Sequence, residues 1–259
     1  MALKYSKAPI SELVCGFILN KNLLLSDGVL FKAIGSLSKD YPIINTHPIT
    51  SEEEVINDTI QSGIDYAKAG FSTYRLVDSQ GRWHILLQQN LLTFHWVRQD
   101  IENVGNYPGF AQVFERFHGL YSYIRSLFKD PQIFDSSIKS YYLSYADRVN
   151  LEEYKKEGLS IGDIINLSPP FFTVNDKKYF ANNYFNRYSI PCDAIGGYSL
   201  ASINSPTIPG IGQILAVDNK LKGFSPGLSK IEDWFNVAHE IQVSFFESLF
   251  KPEILNKWR

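Results

Sequence analysis

The chain has 259 residues, 44% hydrophobic and 20% charged, with a formal net charge of −2. That balance belongs to one large globular domain or two small ones with apolar content for a sizeable core, and it does not suggest a nucleic-acid or membrane-surface protein. Two distant cysteines, Cys15 and Cys192, signal neither a disulfide framework nor a zinc site and are expected to be buried as small hydrophobes. No stretch approaches the length of a membrane span, and the opening MALKYSKAPI lacks the apolar run of a signal peptide, so a cytoplasmic protein is expected. Phe and Tyr are abundant, which favours β structure.

The first element is an extended segment over 5–20. Ala8-Pro9 excludes helical geometry at Ala8, and Leu13, Cys15, Phe17 and Leu19 alternate as in a half-buried strand. A weak helical pattern follows through Leu30, Phe31, Ile34 and Leu37, stopped at Pro42. His47-Pro48 falls in an extended or loop segment, and Glu52-Glu53-Glu54 reads as a solvated acidic run at the start of a short helix.

The region 72–97 is the most legible β sequence. A strand through Tyr74 and Leu76 meets the turn Asp78-Ser79-Gln80-Gly81, where glycine supplies the permissive backbone. A second hairpin then folds around Gln89-Asn90. Its two-residue turn places Trp83 opposite Trp96, Ile85 opposite Phe94 and Leu87 opposite Leu92 on one apolar face. The other face pairs His84 with His95 and Leu86 with Thr93. A one-residue slip would destroy this sorting.

Tyr107-Pro108 introduces a long helix over 110–128, broken at Pro131. A long strand over 137–150 follows, then a linker over 151–170 with one short amphipathic turn at 161–167. The second half offers strands over 171–174 and 179–190 turning at Asn175-Asp176, and a strand pair over 194–203 and 212–217. The last helix, 228–250, is the clearest. Ser229 and Glu232 form a capping-box pattern, Ile231, Trp234, Ala238, Ile241, Phe245 and Leu249 make one apolar stripe, and Lys251-Pro252 ends it. The order predicts an α+β fold: mainly antiparallel sheet covered by two long amphipathic helices, in one domain over 1–259.

The two long helices also align with each other. An offset of 121 residues places His118 on His239 and Pro131 on Pro252. Two readings stay open: duplication of a strands-plus-helix unit, with halves 1–150 and 151–259, or two unrelated amphipathic helices whose apolar positions match by default.

Nucleotide-binding loops, H-E-x-x-H and the G-x-S-x-G elbow are all missing. The candidate binding residues are His239, Trp234, Asp147, Arg148, His84 and His95. Opposed imidazoles at 84 and 95, with Cβ atoms roughly 5 Å apart, suit a shared metal or a pH-sensitive pair, or are polar aromatics on a wetter sheet face. Asp147-Arg148 reads as a structural ion pair or a groove-lining charge. His239, one step off the apolar stripe on the Phe235, Gln242, Phe246 ridge, reads as a boundary histidine bonded to a strand carbonyl or carboxylate, or as a polar group facing a ligand or partner. No catalytic residue, metal ligand or cofactor is assigned.

Four segments together carry a resemblance: the A-P-I-x-E start (Ala8, Pro9, Ile10, Glu12), the hairpins over 75–96, the strand end Tyr145-Ala146-Asp147-Arg148-Val149-Asn150, and the helix with Ala238-His239 and Phe245-Phe246. With them the chain resembles, over nearly its whole length, a sporadically distributed family of prokaryotic proteins with no assigned activity. That family tends to Asn-Arg where this chain has Asp147-Arg148. The resemblance implies an accessory, sensor or antitoxin-like part of an anti-phage defence or toxin–antitoxin module, partnered by a protein encoded nearby and acting without catalysis. The alternatives are a metal- or histidine-dependent hydrolase or nuclease using His84, His95 or His239, and a nucleic-acid binder whose sheet carries Tyr and Arg.

Overall fold

Apolar alternation makes long strands at Ile10–Leu19 (β1) and Ile138–Asn150 (β8), and these two pair antiparallel along their length. The computed structural model describes residues 5, 7–20, 24, 28–48, 54–56, 59–61, 72–99, 107–167, 171–174, 177–180, 185–225 and 230–259. Between β1 and β8 lie α1 (Val29–Leu37), β2 (Ile43–Pro48), β3 (Glu54–Ile56), β4 (Thr59–Gln61), β5 (Ser72–Val77), β6 (Trp83–Leu87), β7 (Leu91–Val97), α2 (Phe110–Ser126) and α3 (Pro131–Ser136). After β8 come α4 (Leu151–Lys156), α5 (Ile161–Ile164), β9 (Phe171–Val174), β10 (Lys177–Phe180), β11 (Phe185–Cys192), β12 (Gly197–Asn204), β13 (Thr207–Ile208), β14 (Gly212–Gly223), α6 (Ile231–Leu249) and α7 (Pro252–Trp258).

One ten-stranded sheet runs β11-β12-β14-β8-β1-β7-β6-β5-β2, with β13 attached to β14, and β3-β4 and β9-β10 form separate two-stranded pairs. Every pairing among the described strands is antiparallel. The fold is therefore α+β, as expected. The order also repeats about its centre. β1 and β8 each flank a three-strand run, β7-β6-β5 on one side and β14-β12-β11 on the other, and a long helix follows β7 and β14. Both strand runs lie in one sheet, and β8, which ends the half 1–150, pairs with β14 of the half 151–259.

The hairpin register holds residue for residue: Trp83↔Trp96, His84↔His95, Ile85↔Phe94, Leu86↔Thr93 and Leu87↔Leu92. Gly81, at φ 70°, takes the left-handed position of the preceding turn. Because side chains alternate across a strand, one sheet face collects Leu13, Cys15, Phe17, Phe94, Ile85, Leu143 and Leu221, all buried. Both long helices lie on that face. α2 sets Phe117 and Tyr121 against Phe17 of β1, and α6 sets Trp234 and Phe235 against Tyr141 of β8. The helices meet where Phe235 touches Phe114 and Phe117. Cys15 is buried as expected, whereas Cys192, in edge strand β11, is only half-buried.

Several local expectations are corrected. Lys230, not Ser229, is the N-cap of α6, and it makes no side-chain cap; Ser229 lies outside the described residues. The buried stripe of α6 is rotated toward Phe235 and Gln242, leaving Ile241 and Phe245 half-exposed. The reason is that α6 packs in the angle between the sheet and α2, so the ridge facing both is the deepest. Pro131 and Pro252 start helices rather than only ending them, since the first helical position needs no N–H. Asp130 caps α3 through the Gln132 N–H at 2.9 Å. Residues 151–156, expected as linker, form α4, capped by the Asn150 side chain at the Glu152 N–H, 3.0 Å. Glu54 lies on strand β3 rather than a helix start, while Glu52 and Glu53 are outside the described residues. The strand expected over 179–190 divides between β10 and β11, and the turn Asn175-Asp176 is outside the described residues.

The rotated stripe predicts unequal costs for truncation. Phe235→Ala should destabilise the protein by about 3–5 kcal/mol, and Ile241→Ala by less than about half of that. Equal shifts in chemical denaturation would contradict the observed helix orientation.

Candidate functional site

A row of polar side chains crosses the sheet on the face opposite the long helices. It runs from Arg75 on β5 through His84 on β6, His95 on β7 and Glu12 on β1 to Arg148 on β8 and Asp218 on β14. Glu12 reaches this face by ordinary alternation with Leu13, and a register shift in the β1–β8 pairing falls just before it, between Ile10 and Glu12. That bulge lets Ile10 and Leu13 both face the core while Glu12 points the other way. Gly16 stands opposite Thr93, and a Cβ there would come within 2.6 Å of the Thr93 methyl. Only glycine leaves Thr93 room beside the row.

Each imidazole of the pair has both nitrogens engaged. The Arg75 Nη2 donates to His84 Nδ1 at 2.8 Å, so that nitrogen carries no proton, and His84 Nε2–H donates to the Gly81 carbonyl at 2.8 Å. His95 Nδ1–H donates to Glu12 at 2.6 Å, and the Thr93 hydroxyl lies 2.7 Å from His95 Nε2. The two rings stand 6.4 Å apart, centroid to centroid. Burial, with His84 only 5% exposed, holds its pKa below the usual histidine value, and the charges of Arg75 and His95 add to this against the Gly81 carbonyl. Burial raises the Glu12 pKa, but the His95 hydrogen bond and the charges of His95, His84 and Arg148 outweigh it, leaving the carboxyl below its ordinary range.

Arg148 bonds Asp218 at 2.8 Å, not Asp147, whose side chain points to the other face. The expected Asp147–Arg148 side-chain pair is thereby corrected: Arg148 meets only the Asp147 backbone carbonyl, at 2.8 Å. Asp147 is 5% exposed, and its Oδ1 has no hydrogen-bond partner among the described residues. Burial raises its pKa to about 7, with Asp218 adding and Arg148 and Arg98 opposing.

His239 belongs with Asp147 on the helix face. Its ring stacks on Phe110 at 4.1 Å, and Nδ1 lies 2.9 Å from the Tyr145 hydroxyl, which lies 3.5 Å from that of Tyr107. The partner is thus a tyrosine rather than the expected carbonyl or carboxylate. Burial lowers the His239 pKa to about 4. Trp234 is fully buried, and its indole N–H donates to the Ile195 carbonyl at 3.1 Å, which makes it a packing residue rather than a contact surface.

The six candidates therefore divide between the faces: His84, His95 and Arg148 in the row, and His239, Asp147 and Trp234 under the helices. Glu12, Arg75 and Asp218 were missed. Extending the hairpin register back across the turn, where Val77 pairs with His84, brings Arg75 within reach of His84. Glu12 and Asp218 depend on pairings between strands distant in sequence, for which the sequence carries no local signal.

Chemically, Glu12–His95–Thr93 has the acid–imidazole–hydroxyl order of an activated nucleophile. Thr93, however, is 6% exposed in mid-strand, where flanking N–H groups serve the ladders to β1 and β6 rather than an oxyanion. Among the described residues no group of three or more His, Cys, Asp or Glu is placed to hold a metal ion, and no helix is long and apolar enough to cross a membrane. No protein-family model, curated protein or solved structure matches the chain.

The buried Asp147 and His239 set opposing pH slopes. Unfolded His239 binds its proton from about pH 6.5 downward and the folded form only near pH 4, so its contribution to stability is complete above that window and lost through it. Folded Asp147 is protonated below about pH 7 against an ordinary 3.8, so its contribution is present at low pH and lost as pH rises through that range. Asp147→Asn should steepen the acid loss of stability relative to wild type, by at most about 1.4 kcal/mol per pH unit. His239→Phe should flatten or reverse it. Denaturation midpoints measured across the pH range check both, and parallel curves for all three proteins would contradict them.

Proposed function

We propose that the chain is a non-enzymatic interaction protein whose partner adds a strand to the β2 edge of the sheet. The observation that supports this is the exposure of that edge. Ile43 and Ile44 are 45% and 42% exposed on β2, and Phe31 of α1 is 63% exposed while in ring contact with Tyr74 of the adjacent β5. Edge strands are ordinarily blunted by lysine, proline or inward charge. Asn45 and Thr46, which follow the two isoleucines, are exposed and uncharged, and the proline of the strand, Pro48, stands only at its last position. An extended segment of another protein can take the outer backbone groups of β2, which pair with no other strand among the described residues, and lay apolar side chains beside Phe31 and Ile44. The Arg75 and Gly81 bonds that occupy both nitrogens of His84 also favour binding over catalysis. The sequence resemblance is what supports an accessory, sensor or antitoxin-like role in a prokaryotic defence or toxin–antitoxin module.

A histidine-dependent hydrolase is the second reading, favoured by the Glu12–His95–Thr93 chain of hydrogen bonds. Co-purification from the native host, comparing wild type with Ile44→Lys, separates the two. The interaction reading predicts a stoichiometric protein partner, lost at least tenfold in the folded variant. Recovery only as a free monomer, together with aryl-ester hydrolysis abolished by Thr93→Val, would replace it with the hydrolase reading.

A further inference from the structure

We propose that Arg75 and His84 form a proton-operated latch that holds the β5–β2 edge of the sheet closed when His84 is neutral and releases it when His84 is protonated. Donor counting carries this inference. A guanidinium only donates, so the 2.8 Å bond from Arg75 Nη2 requires a bare Nδ1 on His84. A proton at Nδ1 sets two donors against each other and adds a second positive charge. The bond from Nε2 to the Gly81 carbonyl survives either way, so the ring stays in place and the arginine must move. Among the described residues this is the one hydrogen bond the Arg75 guanidinium makes, and its Nε is buried without a partner.

The other imidazole behaves differently. His95 donates to Glu12 from Nδ1, and the Thr93 hydroxyl at Nε2 can turn from donor to acceptor. A proton on His95 therefore breaks no bond, although it places a cation beside His84. The charged and titratable groups facing His84 are Arg75 from β5, His95 from β7 and Glu12 from β1. Of these charged groups only Glu12 favours the protonated ring, beside the Gly81 carbonyl, and it is already engaged by His95. The pair is thus asymmetric: one ring tolerates the proton and the other trades it for a latch.

Release acts at the edge. Arg75 pairs across the ladder with Asn45 of β2, flanked by Leu76↔Ile44. A guanidinium leaving the row for solvent loosens the β5–β2 pairing beside the exposed isoleucines. The further step, that acid thereby changes partner docking, rests on reading β2 as the docking edge.

The test uses the full-length chain, with protection factors of the β2 and β5 amides measured by hydrogen exchange from about pH 7.5 to about pH 5. Protection in both strands should fall about tenfold on acidification, relative to that of β1 and β8. His84→Gln stays neutral and keeps an acceptor for Arg75, so it should hold protection constant. Unchanged protection in wild type, or an equal fall in the glutamine variant, would overturn the latch. Partner recovery at the two pH values is scored separately: a latch that opens while recovery stays constant would leave the latch standing and remove β2 as the docking edge.

Discussion

The antiparallel pairing of β1 with β8 is the contact on which the rest of the molecule depends. It joins two runs of strands into one sheet, and nine Cα partner positions run along it from Ile10↔Asp147 to Leu19↔Ile138. Each of its strands is roofed by the long helix that follows its own strand run, and the two roofs meet at Phe235. Burial is therefore continuous from Phe17 through Phe117 and Phe235 to Tyr141, with aromatic contacts at every step. The Phe117–Phe235 contact joins the seam of one helix to that of the other, and with the shared β1–β8 ladder it favours a single cooperative unit over two docked domains.

The same pairing builds both polar clusters. Strand alternation sends Tyr145 and Asp147 under the helices and Arg148 and Glu12 to the opposite face, and the bulge at the start of β1 keeps Ile10 on the core side. Ala8-Pro9-Ile10-x-Glu12, the segment that carries the sequence resemblance, is the stretch where this bulge occurs. Pro9 lends its carbonyl to the Arg148 N–H at 2.9 Å, and Ser11 bonds the Ala146 carbonyl at 2.9 Å. The start of the chain thus does two jobs: it anchors β1 to β8 and delivers the carboxylate that orders His95.

Much of this is legible in the sequence. The 83–96 hairpin could be registered because its turn is short and its two faces sort cleanly, and the long strand at 138–150 and the helices beginning near 110 and 231 follow from period alone. What failed did so for physical reasons. Pro131 and Pro252 signal the end of a helix by pattern alone, although proline is also suited to the first turn of the next one. The sequence stripe of α6 takes in Ile241 and Phe245 with the buried Ile231, Trp234, Ala238 and Leu249, because hydrophobicity alone does not name the partner. In the fold, Gln242 is buried by bonding Asn219 on β14, with 2.9 Å bonds in both directions. A buried polar pair of that kind is invisible to periodicity. The row across the sheet was half seen, since His84 and His95 are hairpin neighbours, whereas Glu12, Arg148 and Asp218 meet them only through long-range pairing.

If β1–β8 is the cooperative centre, native-state hydrogen exchange measures it most directly. At neutral pH the β1 and β8 amides should be the slowest in the protein and should share one opening free energy, with β14 and β7 next and the β2 and β11 edges fastest. A β14-β12-β11 run that keeps its protection after β1 and β8 have exchanged would contradict the account and divide the molecule into two independent units.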